Sequence, residues 1–269
     1  MSQNISTISG FKDINDIDLD KYIYVYNVIQ NIGKKYNIKE IRTPTMEHSV
    51  LFNRALGQDT DVVNKEMYIF HDTQCLRPEL TASICKYTIN NNINYGRFMQ
   101  FGSCFRHERP QKDRYREFTQ ISVEWFGNKN IINDLELLYF INDIFIELKI
   151  KYKLYINSIG SSTDRYEYIN ILKKYLSEHY HLLSDDNKHK FNNGNIWRIL
   201  DSKDNMDIIN NAPNIIEYIN QDSKMRLFTI QQFLTNNNIQ YELKSSLIRG
   251  LDYYKIAIYL LVVVVDMMV

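Results

Sequence analysis

Apolar residues recur near the start of the chain at Leu19, Tyr22, Ile23, Tyr26, Ile29 and Ile32, a spacing of three and four that predicts an amphipathic helix between Asp16 and Lys35, with Gly33 near its end. The pattern then changes. "IKEIRTPTMEHSVLF" predicts a strand running into Pro44 and a short helix after it, and "NKEMYIFHDTQCLRPEL" predicts two strands around a turn at Asp72. "TASICKYTINN" is helical by pattern. From Phe98 to Arg106 and again from Glu117 to Phe126 the alternation has period two, with a charged turn between, which predicts a long β-hairpin. The stretch from Ser161 to about Gln240 is polar, helix-patterned and rich in Lys, Asp, Asn and Tyr, and reads as an inserted helical domain. "YELKSSLIRGLDYY" returns to a strand that ends in Arg249 and Gly250. The longest apolar run, "IAIYLLVVVVDMMV", is interrupted by Asp266 and falls well short of the ~20 residues a membrane helix needs, so it reads as a strand. The elements together predict an α+β fold.

Residues two apart in a strand share a face, so Gln100, Gly102, Cys104 and Arg106 point one way while Met99, Phe101 and Phe105 point the other. On the return strand Phe118, Gln120, Ser122 and Glu124 oppose Thr119, Ile121, Val123 and Trp125. One face of the hairpin is therefore a polar floor. Arg106, Gln120 and Glu124 offer a fork of donors, an amide and a carboxylate, a set that suits a zwitterion or a phosphate ester carrying a second polar group, and Phe118 is able to cover a planar base. An ordinary solvent-facing hairpin shows the same alternation, so the alternation alone does not decide between the two.

Composition narrows the partners. Lys plus Arg and Asp plus Glu balance at 32 each, so no global field draws the chain to nucleic acid or to an anionic membrane, and a polyanion site has to be local. The hairpin tip, with Arg106, His107, Arg109, Lys112, Arg114 and Arg116, is such a patch. Cys75, Cys85 and Cys104 lack paired spacing, which points to reduced core thiols, and His48, His71 and His107 lack the spacing of a metal site. "MSQNISTISGFKDI" has neither an apolar signal region nor an Arg-rich amphipathic segment, so the expected location is the cytoplasm, with no membrane partner. Heavy use of Ile, Asn, Lys and Tyr reflects an AT-rich coding sequence.

The order of residues in "FRHERPQKDRYREF" resembles motif 2 of class II aminoacyl-tRNA synthetases in the form used by histidyl-tRNA synthetases. "EIRTPTMEHSVLF" resembles motif 1, with Pro44 in the place of its proline, "LRPELTA" resembles the amino-acid-binding loop, and "LIRGLDYY" matches the histidine-specific signature. "NSIGS", "RILDSKD" and "NAPNIIEYI" extend the likeness, which covers residues about 8 to 254. Leu80 stands where many members have Gly, and Asn15 replaces a Pro common after "GFKDI".

The resemblance implies a class II antiparallel sheet flanked by helices, incomplete at the C-terminus, with residues 1–160 and 241–269 forming the catalytic core and 161–240 the helical insertion. It implies a histidine–tRNA ligase, which makes histidyl-adenylate from histidine and ATP with Mg2+ and then esterifies tRNA(His). The substrate carboxylate is the nucleophile, so alignment and charge neutralisation carry the catalysis. By the match, Arg106 and Arg249 meet the α-phosphate and the histidine carboxylate, while Glu108 and Phe118 hold the adenine and Arg114 the γ-phosphate. Glu79, Thr81 and Gln120 receive the ammonium group, with Glu124, Tyr253 and Tyr254 around the imidazole, and no protein side chain is implied as a metal ligand. Motif 1 implies a homodimer.

After Tyr254 the chain reads "KIAIYLLVVVVDMMV", which resembles nothing in the family and is expected to shorten the catalytic sheet, and neither motif 3 nor a C-terminal anticodon-binding domain is met. The expectation is an impaired or inactive fragment of a synthetase, with a reading-frame change near Lys255 as the simplest account of the tail. An unusually short working synthetase is one alternative. Another is a histidine-binding regulatory paralogue of the kind that partners ATP phosphoribosyltransferase, against which stands the presence of Arg106, Glu108, Arg114, Phe118, Arg249 and Tyr254 together.

Overall fold

Helix α1 (Asp16–Lys35) begins where Asn15, in extended backbone, accepts a hydrogen bond from the Asp18 amide at 2.8 Å. Asp16 and Asp18 in its first turn and Lys34 and Lys35 in its last complement the helix dipole. It ends where the Ile38 amide returns to the Gly33 carbonyl at 2.9 Å and Asn37 takes a positive φ of 54°. The helix occupies the span that the periodicity predicts. A computed structural model describes residues 5–57, 60, 62–109, 114–127, 130–245 and 247, and the backbone of 257–263.

The chain divides into two compact units, Met1–Leu148 and Lys149–Val269. In the first, β1 (Lys39–Glu40) runs parallel to β5 (Gly96–Phe105), which pairs antiparallel over its whole length with β6 (Glu117–Phe126). A smaller sheet has the order β2 (Met46–His48), β4 (Gln74–Leu76), β3 (Ile69–Phe70), and its turn places His71 and Asp72 at positive φ, 48° and 59°. Helices α2 (Ser49–Leu56), α3 (Thr81–Asn90) and α4 (Ile131–Glu147) and a π-helical turn at Val62–Glu66 complete the unit. The long hairpin is the predicted one.

Two differences from the sequence pattern have physical reasons. The strand expected to run into Pro44 is broken after Glu40, because residues 43 and 44 bond to side chains instead of a neighbouring strand. The Thr43 amide and hydroxyl donate to Gln100 Oε1 at 3.2 and 2.9 Å, and the Thr43 and Pro44 carbonyls accept from Arg77 at 2.9 and 3.4 Å. The second difference is α4, for which the periodicity predicts no element: "IINDLELLYFINDIFIE" is apolar on nearly every side, so no stripe stands out.

Each face of the hairpin has its own partner. Met99, Ile121, Val123 and Trp125 pack with Val28, Ile29 and Ile32 of α1 and with Leu137, Phe140 and Ile141 of α4. Phe98, Cys104, Phe118 and Phe126 pack with Leu80 and Ile84, which sets the start of α3 over the polar floor.

In the second unit β7 (Tyr152–Ser158) lies between β8 (Tyr241–Leu243), parallel to it, and β9 (Ala257–Val263), antiparallel to it. Helices α5 (Ser162–Glu178), α6 (Asp185–Asn192), α7 (Met206–Asn210), α8 (Ile215–Tyr218) and α9 (Gln221–Asn236) fill the stretch between β7 and β8. α5 starts with a reciprocal capping box of Ser161 and Asp164. Leu172, Leu176, Ile196, Ile199 and Ile215 are among the buried side chains at the centre. The helical stretch shares its unit with β7, β8 and β9. No helix among the described residues is long and apolar enough to cross a membrane.

Candidate active site

The pairing of β5 with β6 puts Cys104 opposite Phe118, Gly102 opposite Gln120, Gln100 opposite Ser122 and Phe98 opposite Glu124. The two polar sets read from the alternation thus form one floor. Arg106 follows the last residue of β5 and extends the ladder, its amide donating to the Arg116 carbonyl at 2.9 Å. Its Nε donates to the Pro78 carbonyl at 3.0 Å, and its guanidinium carbon lies 5.2 Å from the centre of the Phe118 ring. Glu108 stands 3.9 Å from Arg106 and 3.0 Å from Arg114. The arginine is therefore held at its root and along one edge, with its remaining N–H donors beside an aromatic face.

Glu79 and Glu124 approach the floor from two elements. Glu79 precedes α3 and accepts from the Thr81 and Ala82 amides at 2.7 Å each, so it caps a helix whose formal cap position, Leu80, has no side-chain acceptor. Thr81 turns its hydroxyl to Glu124 Oε1 at 2.7 Å, and Ser122 donates to the same oxygen at 2.8 Å. Burial pushes the Glu79 carboxyl above the usual range, opposed by the Ala82 and Thr81 amides and by the charge of Arg106. Burial raises Glu124 as well, opposed by the hydroxyls of Thr81 and Ser122 and reinforced by Glu79. The site thus sets two carboxyl groups beside hydroxyl and amide donors, with Arg106 near Glu79.

The thiols are not nucleophiles. Burial pushes Cys75 and Cys85 up to about 11 and Cys104 up to about 12, so all three stay protonated at neutral pH.

The structure gathers Glu79, Thr81, Arg106, Glu108, Arg114, Phe118, Gln120 and Glu124 on this hairpin and on the segment that leads into α3. Arg249, Tyr253 and Tyr254 lie outside the described residues. Among the described residues no group of three or more His, Cys, Asp or Glu side chains is arranged to hold a metal ion.

Sequence reasoning passed over three supports. Arg77, only 5% exposed, donates from Nε to the Ser103 carbonyl at 2.8 Å as well as to Thr43 and Pro44, and so ties the Pro44 segment to β5. A Cβ on Gly102 would come within 2.5 Å of Arg77 Nη2, so the glycine in mid-strand was the available signal. Lys86 on α3 is paired with the buried Glu47 of β2, with Nζ 2.6 Å from Oε2. Ser122 is the third.

The histidyl-tRNA synthetase family model matches residues 10–261. A histidine–tRNA ligase from Francisella philomiragia is 40% identical over 262 residues, covering 93% of this chain and 62% of the relative. One from Streptococcus thermophilus is 37% identical over 270 residues, covering 96% of this chain and 63% of the relative. The crystal structure of apo S. aureus histidyl-tRNA synthetase superposes with a TM-score of 0.74 at 30% identity, covering 96% of this chain and 61% of that one. A Bacillus halodurans structure described as an ATP phosphoribosyltransferase regulatory subunit/histidyl-tRNA synthetase, at 14% identity and a TM-score of 0.68, shares the fold. The chain thus spans about three-fifths of the length of the curated relatives. The family match also passes Tyr254, so the motif-based limit at that residue is too early: β9 pairs with β7 in continuous register, and an apolar strand carries little that a motif would catch.

Proposed function

The chain belongs to the histidyl-tRNA synthetase family, and on that premise we propose that it carries the site at which a histidine–tRNA ligase activates histidine with ATP for transfer to tRNA(His), as an impaired or inactive fragment of such an enzyme. One observation carries the reading: a fixed arginine stands at the rim of a floor that meets two carboxylates, the buried Glu79 and the half-buried Glu124. That arrangement is complementary to an amino acid with a cationic amine and a ring N–H at one end and a carboxylate at the other.

In the proposed complex Glu79, Thr81 and Gln120 take the ammonium group and Glu124 accepts from the imidazole N–H. Arg106 neutralises both the histidine carboxylate and the α-phosphate, while Phe118 covers the adenine and Glu108 meets its amino edge. Glu108 is paired with Arg114 in the ligand-free protein, so ATP binding exchanges that pair for contacts to adenine and to the γ-phosphate. Arg249, Tyr253 and Tyr254 are assigned to the same site by the family signature. Mg2+ enters with the phosphates of ATP as part of the substrate. A histidine carboxylate oxygen attacks the α-phosphorus, the bond to the bridging oxygen breaks, and pyrophosphate leaves. No protein base is required, because the nucleophile is already ionised.

Titration calorimetry of the chain with histidine tests the site. Binding that is lost in Glu124→Ala supports it, and an unchanged signal in that variant would remove it. MgATP should strengthen histidine binding, since Arg106 serves both ligands. Histidine binding indifferent to MgATP would favour a binding-only regulatory role.

A further inference from the structure

We infer that Ser122 is a positioning residue for the amino-acid site, whose hydroxyl joins that of Thr81 on Oε1 of Glu124 and leaves Oε2 as the oxygen offered to a ligand N–H. The inference rests on the amino-acid reading of the site. Its ground is a count of protons. Thr81 and Ser122 bring one hydroxyl proton each, and Oε1 lies 2.7 Å from one and 2.8 Å from the other. With both protons directed to the carboxylate, the 3.1 Å approach between the two hydroxyl oxygens carries no proton of its own. Both bonds strengthen when Glu124 is ionised, because the acceptor then carries charge. Among the described residues no protein group donates to Oε2.

The charge state of Glu124 decides what the site accepts. Ionised, Oε2 is an acceptor and selects a ring N–H or a cationic ring; protonated, it becomes a donor and can meet only the bare nitrogen of a neutral ring. Of the titratable groups that face Glu124, Glu79 from the segment before α3 favours protonation by like charge, and Cys85 of α3 is a protonated thiol that brings no charge. Arg106 acts on Glu79. The two hydroxyls favour the ionised form of Glu124 against its burial, and Ser122, buried at 7% exposure on the same strand, contributes one of them.

The test compares the wild type with Ser122→Ala and Ser122→Thr in the full chain. Carboxyl-carbon NMR of ligand-free protein labelled at glutamate, with the Glu124 signal assigned by its loss in Glu124→Gln, reads the titration directly. Loss of one hydrogen bond to a charged group should move the midpoint in Ser122→Ala upward by about one pH unit, and Ser122→Thr should keep it. Histidine binding should follow, its pH profile moving up by the same amount in Ser122→Ala, since the titration of the ligand is common to all variants. A Glu124 midpoint that does not move in Ser122→Ala overturns the inference, whether or not histidine binds. A midpoint that moves as expected while the wild type binds no histidine supports the hold of Ser122 on Glu124 and overturns the amino-acid reading instead.

Discussion

Glu79, buried, and Glu124, half-buried, place two carboxylates near one arginine, and their raised titration fixes the sign of a pH effect. A carboxyl whose folded value lies above its unfolded one stabilises the fold below the unfolded value, and that contribution is lost as pH rises through the folded value. Ionising either carboxyl therefore costs stability, and a cation placed beside them relieves that cost. Glu124→Gln keeps an acceptor for Thr81 and Ser122, so it should raise the melting temperature by a few degrees at pH 7, give no such gain at pH 4, and remove histidine binding. Calorimetry at the two pH values checks this; equal gains at both would show that ionisation is not the cause. Arg106→Lys is expected to lose the planar fork while keeping the charge, since Nε bonding to the Pro78 carbonyl and stacking near Phe118 both need a guanidinium. Adenylate formation should fall by at least tenfold, measured as histidine-dependent pyrophosphate exchange in a chain that shows exchange as wild type. Arg106 and Glu124 were legible in sequence because period two put them on one face, whereas Glu79 came only with the resemblance of "LRPELTA" to an amino-acid-binding loop. Ser122 was on that face too, two residues from Glu124, but the strand pattern does not say that its hydroxyl turns to Glu124 Oε1 beside that of Thr81.

At the level of elements, the segment around Pro44 is held to the site by one buried side chain. Arg77 donates to the carbonyls of Ser103, Thr43 and Pro44, its own amide donates to the Thr45 carbonyl, and its carbonyl accepts from the Phe105 amide, one residue before Arg106. Arg77→Met would fill the volume and leave those carbonyls without a donor, at ~1–3 kcal/mol for each one orphaned, so a loss of about 3 kcal/mol or more is expected in urea unfolding. A loss under ~1 kcal/mol would show that water replaces the guanidinium. Gly102→Ala should act on the same contact, because the methyl would meet Arg77 Nη2. Period and caps make α1, α3 and the hairpin readable. They miss α4, where Leu138 and Phe140 are buried and Ile132 and Ile146 are exposed on a helix apolar all round, because burial there is decided by α1 and β5–β6 rather than by its own pattern. They miss Arg77 because an arginine in a strand-like run reads as exposed until Gly102 is known to lie against it.

Over the whole molecule, motif resemblance reached the family but stopped short of β9, whose pairing with β7 is made by backbone and leaves no signature beyond apolar character. The first unit raises the question of a second copy. Around Pro44 the chain exposes Met46 and Val50 at 48% and 52%, and β3 exposes Ile69 and Phe70 at 50% and 40%. In the small sheet β2 and β3 each pair only with β4 among the described residues, so each has a free edge. Single exposed apolar residues need no explanation, but their concentration beside free edges, in the segment that resembles a two-fold interface motif, supports a homodimer. Sedimentation at micromolar concentration should give twice the mass of one chain. In an isologous contact one substitution is met twice, so Val50→Lys should shift the protein toward monomer while Lys placed at Ile146, on the far end of α4, should not. A wild-type monomer that stays folded at that concentration would overturn the dimer; dissociation by both substitutions would place the contact elsewhere.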